Sequence, residues 1–253
     1  DESFKYGTGE AEEIIGKHLK GKRDKVVLAT KVGLPMGQYV NDAGLSKFHI
    51  MREVERSLER LQTDYIDLYQ VHRFDKRTPL EETLSALTDL VRQGKVRYIG
   101  CSNFAAWQMA KANGLSAFYN LEHFVSSQSQ YNLLSRELEN EVIPFCQSEK
   151  MGLLVYSPMA RGMLSGKYAS KESVPEDSRA AKGEELIQPY FTEENFKRID
   201  HYKDIAKEQE VSLSQLSLAW LLNQPAVTSA ILGASKPEHV LEAVRISDWK
   251  WPE

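Results

Sequence analysis

Chemistry in this chain gathers at the ends of two short apolar runs. In Thr63–Asp75, TDYIDLYQVHRFD, the residues Ile66, Leu68 and Val71 with Tyr65 and Tyr69 read as a largely buried strand. His72 stands where that run stops, and Lys31 ends the run Val26–Lys31 in the same way. The C-terminal ends of buried parallel strands are where α/β folds place their chemistry. A phenol, Tyr6, lies in the Gly-flanked segment FKYGTGEAEE, where a strand-to-helix loop belongs, and a carboxylate, Asp1, precedes it by five residues. An imidazole, an ammonium, a phenol and a carboxylate at one rim are a set that can hold and move protons.

The elements that must position them are readable in outline. Helices are expected at about Ala11–Leu19, at Lys47–Leu61 with Ser46 as N-cap, and from Thr78-Pro79-Leu80-Glu81 to Gln93. The last start combines a capping box with proline at the first helical position, and Gly94 closes the helix. Further helices are expected at Ala105–Ala112, at roughly Arg136–Lys150 with Pro144 liable to kink it, at Glu194–Glu208, at Leu213–Leu222 behind the capping box Ser212–Gln215, and from Pro237. Strands are expected at Val26–Lys31, at about Tyr65–Val71, and at Val96–Cys101, Phe124–Gln128, Leu153–Tyr156 and Thr228–Leu232. Between Ser157 and Phe191 periodicity gives way to Gly, Pro, Ser and charge, which reads as a long active-site loop or lid.

Five of these strands begin near residues 26, 65, 96, 124 and 152, with helices between them. That beat means a parallel sheet with right-handed crossovers. No strand is followed by Gly-x-Gly-x-x-Gly, so a doubly wound dinucleotide fold is disfavoured, and a P-loop match at Gly162–Lys167 fails on spacing and on Tyr168. The expected fold is an α/β chain of the (β/α)8 TIM-barrel type, in a single domain over 1–253. Six strands are two short of a barrel, and the chain opens on Asp1 rather than Met. The first one to two strands are therefore expected to lie outside this chain, which leaves one unpaired side on each of the first and last strands.

Composition narrows the function classes. A net charge of -4 at pH 7 gives no electrostatic footprint for nucleic acid or an anionic membrane. The best apolar run, Leu216–Leu222, is far short of the ~20 residues of a membrane span. Two cysteines make no disulfide framework, which points to a reducing, cytoplasmic setting, and no set of metal ligands is singled out.

The segments carrying the chemistry resemble a known family. Asp1–Glu10 is similar to the Asp-Thr-Ala-x-x-Tyr-Gly signature of the aldo-keto reductases, Leu28–Gly33 (LATKVG) to their lysine strand and Leu68–Arg73 (LYQVHR) to their histidine strand. GKVRYIGCSNF, SSQSQYNLL, VYSPMARGMLSGKY and ILGASKPEHVLEA resemble further blocks of that family in the right order, nearest to its aryl-alcohol-dehydrogenase-like branch. The resemblance implies an NADP(H)-dependent oxidoreductase, with NAD(H) as the other option, acting on a small carbonyl or alcohol substrate. It implies that Tyr6 donates the proton, Lys31 lowers the Tyr6 pKa, Asp1 orients Lys31 and His72 positions the carbonyl oxygen. The chemistry is sound: an ammonium about 4 Å from a phenol contributes on the order of 4 kcal/mol at an effective dielectric near 20, or about three pKa units before desolvation.

For the cofactor, the resemblance implies that Ser102, Asn103 and Gln128 grip the nicotinamide carboxamide and that Tyr156 stacks on the ring. Ser157, Met159, Gly162 and Lys167 then wrap the pyrophosphate. Gly233, Ser235 and Lys236 meet the adenosine phosphate at a helix N-terminus, with His239 and Glu242 near adenine and ribose. Two other readings stand beside this one. A cofactor-binding regulatory subunit of the same fold needs the binding residues without turnover, and a Schiff-base lyase needs only the strand-end lysine.

Overall fold

The computed structural model describes residues 9–171, 173–176, 178–234 and 236–246, so Asp1, Tyr6 and Ser235 lie outside the described residues. In chain order the helices and strands are α1 (Glu10–Leu19), β1 (Ala29–Val32), α2 (Lys47–Leu61), β2 (Ile66–Val71), α3 (Leu80–Arg92), β3 (Val96–Ser102), α4 (Ala106–Tyr119), β4 (Ser126–Gln130), α5 (Val142–Ser148), β5 (Gly152–Tyr156), α6 (Glu193–Glu208), α7 (Leu213–Leu222), β6 (Val227–Ile231) and α8 (Pro237–Arg245). Helices alternate with parallel strands, with both α6 and α7 between β5 and β6, the α/β pattern of a (β/α)8 barrel. The described residues fall into two compact units, one within Asp1–Gln128 and Phe145–Met151, the other within Ser129–Pro144 and Gly152–Glu253.

In the first unit, β1 pairs with β2, β2 with β3 and β3 with β4, all in parallel. β2 is buried on both faces: Tyr69 and Val71 on one side and Gln70 on the other are all essentially inaccessible. That is the burial expected of a central parallel strand. Its Tyr69 side faces the helices, where Glu12 of α1 accepts from Thr30 Oγ1 and from Arg60 Nε, both at 2.6 Å. These bonds tie α1, β1 and α2 together and so hold the strand that carries Lys31. α2 has the expected limits, because Ser46 Oγ accepts from the His49 backbone N–H and Ile50, Val54, Leu58 and Leu61 bury one face.

In the second unit β5 pairs with β6, and the described residues from Ser157 to Phe191 contain no α-helix or strand. They carry 3₁₀ turns within Ala160–Ser165, interrupted at Arg161 and Gly162, and at Glu185–Tyr190. Met163, Leu164, Tyr168, Ile187 and Tyr190 from this stretch are buried against Ile199 of α6 and Leu213 and Leu216 of α7. Among the described residues β1 has one strand partner, β2, and β6 has one, β5.

Several expected boundaries move, each for a local reason. The capping box at Thr78 does not form, because the Thr78 hydroxyl donates to Asp75 Oδ2 at 2.9 Å and leaves Pro79 as an N-cap without a side-chain bond. α4 runs seven residues past Ala112, through Gly114 and on to Tyr119. The helix expected over Arg136–Lys150 shrinks to a 3₁₀ turn at Glu137–Glu139 and α5. Pro144 then lies in the first turn of α5, where its missing N–H costs nothing, and it kinks no helix. β1 starts at Ala29, since Val26 and Val27 are exposed and pairing with β2 begins only at Ala29 opposite Leu68.

Candidate active site

Strand register brings the expected residues of the first unit into two rows. Lys31 pairs with Gln70 and Gln70 with Gly100, and an ideal Cβ on Gly100 would lie 2.7 Å from Ser126 Oγ. Lys31, Gln70, Gly100 and Ser126 therefore form one row across four strands. Two residues further along each strand the same face carries His72, Ser102 and Gln128, with Ser102 opposite Gln128 in the register. Lys31 and His72 thus sit on one sheet face at the C-terminal strand ends, where sequence reasoning puts them.

Burial and charge tune both groups. Desolvation lowers the Lys31 ammonium from its usual 10.5 to about 8. Burial, followed by the nearby positive charges of Lys31 and Arg73, lowers the His72 imidazole from 6.5 to about 4. At neutral pH the pair is accordingly an ammonium beside an uncharged imidazole. A neutral imidazole has one N–H to donate and one nitrogen to accept, which suits it to orient a polar substrate oxygen.

The amide-bearing residues converge on the same strand ends. Asn103 holds a left-handed backbone (φ 56°), which asparagine tolerates better than most residues, and its backbone N–H donates to the Gln128 carbonyl at 3.0 Å. Its Nδ2 reaches the His72 carbonyl at 3.3 Å and Ser102 Oγ at 3.0 Å. Ser102 and Gln128 are buried, while Asn103 is exposed. Ser102, Asn103, Gln128 and His72 are in this way joined through the ends of β2, β3 and β4.

Gln70 is not among the residues that the sequence marks as chemical. Its side chain is buried and donates from Nε2 to Gln128 Oε1 at 3.0 Å, while its own Oε1 is buried without a partner. The signal was there to read: a glutamine two residues before His72 in an otherwise apolar strand shares the histidine's face.

The second unit gathers the expected phosphate-loop residues. Ser157 (φ 55°), Ala160 (φ 45°), Arg161 (φ 58°) and Gly162 (φ 101°) all lie in the left-handed region, so the chain reverses sharply after β5. Non-glycine residues held in that region are a mark of functional loops. The Asn132 amide donates to the Ser157 carbonyl at 3.0 Å, and Met159 O accepts from the Gly162 and Leu164 backbone N–H groups. Lys167 folds back over Gly162, where a Cβ would meet its Nζ at 3.2 Å. Ser157, Met159, Gly162 and Lys167 therefore share one loop of successive turns, with an exposed Lys167. Arg161 and Arg179 flank Glu184 at 3.6 Å each, a pairing the sequence did not announce. Tyr156 ends β5, half-buried, and burial raises its phenol above the usual value.

Beyond the C-terminal end of β6, Lys236 is the exposed N-cap position of α8, with Pro237 at the first helical position and His239 exposed in the first turn. Gly233 is exposed just before it. Glu242 accepts from the Ser212 hydroxyl at 2.8 Å and lines, with Gln215, Glu238, Leu241 and Arg245, a surface cavity of about 420 Å³ on α7 and α8.

A family sequence model described as the aldo/keto reductase family matches residues 1–252. Versiconal hemiacetal acetate reductase of Aspergillus parasiticus is 35% identical over 264 residues, spanning 96% of this chain and 76% of that protein. The aldo-keto reductase YhdN of Bacillus subtilis is 36% identical, over 96% of this chain and 72% of that protein. A rice protein named "Probable voltage-gated potassium channel subunit beta" is 37% identical, over 98% of this chain and 77% of that protein. No described helix is long and apolar enough to cross a membrane.

Proposed function

The chain belongs to the aldo/keto reductase family, and from that premise we propose that it is an NADP(H)-dependent oxidoreductase that reduces aldehydes or ketones to alcohols. The observation that carries the reading is Lys31 and His72 on one face of the sheet, one row apart, with the Ser102–Asn103–Gln128 cluster beside them. The residues fit a nicotinamide carboxamide: among the described residues the Gln128 amide N–H donors are unengaged while its oxygen is held by Gln70 Nε2. When bound, the reduced nicotinamide supplies the hydride.

The chain's own residues handle the proton. Tyr6 donates it to the forming alkoxide, since a carbonyl that accepts hydride must also be protonated. Lys31, charged below about pH 8, stabilises the tyrosinate left behind and so lowers the Tyr6 pKa toward the working range. Asp1 orients Lys31. His72, uncharged down to about pH 4, donates its N–H to the carbonyl oxygen without supplying a second positive charge. In the second unit, the turn at Ser157–Lys167 takes the pyrophosphate and Lys236 the adenosine phosphate, each by a cation and nearby backbone groups.

A second reading is favoured by the rice relative's name: a cofactor-binding regulatory subunit with little turnover. An NADPH-oxidation screen of the protein against a panel of aromatic and aliphatic aldehydes separates the two. Turnover with at least one aldehyde is expected. Tight NADPH binding without turnover on any of them replaces the catalytic reading with the regulatory one.

A further inference from the structure

The least economical feature of the first unit is the buried amide pair Gln70–Gln128. Gln70 belongs to β2 and Gln128 to β4, so their side chains meet across β3, the strand between them. They do so where β3 has Gly100. A Cβ there would come within 3.2 Å of Gln70 Cγ and 2.7 Å of Ser126 Oγ, which means the lane is open only because residue 100 has no side chain. Gln70 and Gln128 are 1% and 2% exposed, yet Gln70 Oε1 finds no partner, a state that a pair of leucines would avoid. As filler the arrangement is poor. As a brace it makes sense: Gln70 engages the oxygen of Gln128, and among the described residues the Gln128 amide nitrogen has no partner and retains solvent contact.

We infer that Gln70 is a positioning residue, which fixes the Gln128 amide with its oxygen engaged and its N–H groups offered to the carbonyl oxygen of a nicotinamide carboxamide. This rests on the cofactor reading above. Because Gln70 acts only through Gln128, and Gln128 only on the nicotinamide end, its effect is confined to ligands that carry that ring. A glutamine released from the brace would rotate its amide freely and lose that preorganisation.

The test measures binding, by quenching of tryptophan fluorescence, of two probes: NADP⁺, and 2′-phospho-ADP-ribose, which lacks the nicotinamide. In Gln70→Met the dissociation constant for NADP⁺ should rise about five- to tenfold, the scale of one well-placed hydrogen bond, while that for 2′-phospho-ADP-ribose stays within about twofold. In a Gln128→Met background the same change should add nothing further, since the partner it acts through is gone. Equal weakening of both probes in Gln70→Met would mean a merely structural role and would overturn the inference. So would unchanged NADP⁺ binding, or full additivity with Gln128→Met. A wild-type protein that binds neither probe sinks the cofactor reading itself, a separate result. Should Gln70→Met fail to fold, Gln70→Asn, one methylene too short to reach Gln128, takes its place with the same expected pattern.

Discussion

Replacing Lys31 by methionine should make the protein more stable and catalytically dead. Lys31 is the penultimate residue of β1, in a largely desolvated position that lowers its pKa from 10.5 to about 8. The sign follows from linkage. Between about pH 8 and 10.5 the unfolded chain holds a proton that the folded chain has released, so stability rises with pH across that window. Below about pH 8 the ammonium is charged in both states and the folded state bears the whole cost. A shift of about 2.5 units corresponds to roughly 3 kcal/mol at 1.36 kcal/mol per unit.

Methionine keeps the length of the stem and carries no charge, so Lys31→Met should gain up to roughly 3 kcal/mol at pH 7. At about 2–4 °C per kcal/mol for a chain of this size, that is a rise in melting temperature of roughly 6–12 °C. The gain should shrink as the pH approaches 10.5, where the wild type sheds the same charge on its own. Thermal melts by circular dichroism at pH 7 and pH 10 read both values, and NADPH oxidation reads the loss of turnover. A variant that melts at or below the wild-type temperature at pH 7 would refute the reasoning, because it would show that Lys31's contacts in the fold repay its burial. A stability gain with activity lost is the trade expected of a strained functional group.

Four further outcomes are expected. Reduction should keep a flat kcat/KM from about pH 5 to 7.5, since His72 stays neutral down to about 4, and decline above about pH 8 as Lys31 discharges; a break near pH 6.5 would mean His72 is not shifted. Tyr6→Phe should remove most turnover while leaving NADPH binding nearly intact in a fluorescence titration, as removal of a transition-state proton donor does. Lys236→Ala should raise the NADPH dissociation constant much more than that of NADH, the signature of a cation on a 2′-phosphate; equal effects would reject that role. Gly100→Ala should cost about 1–3 kcal/mol in urea unfolding, because the new methyl would lie 3.1 Å from the Ser126 carbonyl oxygen, a backbone atom with little freedom to yield.

Where local chemistry and tertiary packing agree, the sequence announces the fold. α2 is the clearest case, since one apolar stripe, one serine cap and a left-handed Gln62 all mark the same limits. Where they diverge, tertiary partners decide. Val26 and Val27 have strand-forming side chains but, among the described residues, no strand beside them, and pairing with β2 begins only once the chain comes level with Leu68. Thr78 is a good cap by type, but Asp75 claims its hydroxyl while also accepting from the Leu45 and Arg77 backbone N–H groups. The end of α4 carries no stripe to read, for Phe118 and Tyr119 are exposed and face each other edge to face.

The site divides along the same line. Lys31 and His72 are legible because each stands alone at the end of an apolar run, so type and position coincide. The residues proposed for the pyrophosphate are legible as a cluster of Gly, Ser and Lys, but the run of left-handed residues through Ser157, Ala160 and Arg161 is not, because none of the three announces that backbone by its type. Gln70 is hidden for a different reason. Its meaning depends on Gly100, a small residue thirty positions later, and on Gln128, and only strand register sets the three side by side. Period-two alternation puts Gln70 on the face of His72, but it cannot say that β3 is bare at the crossing point. The reading from sequence thus recovers residues whose role is set within one strand. It misses those whose role exists only between strands, where a missing side chain matters as much as one that is present.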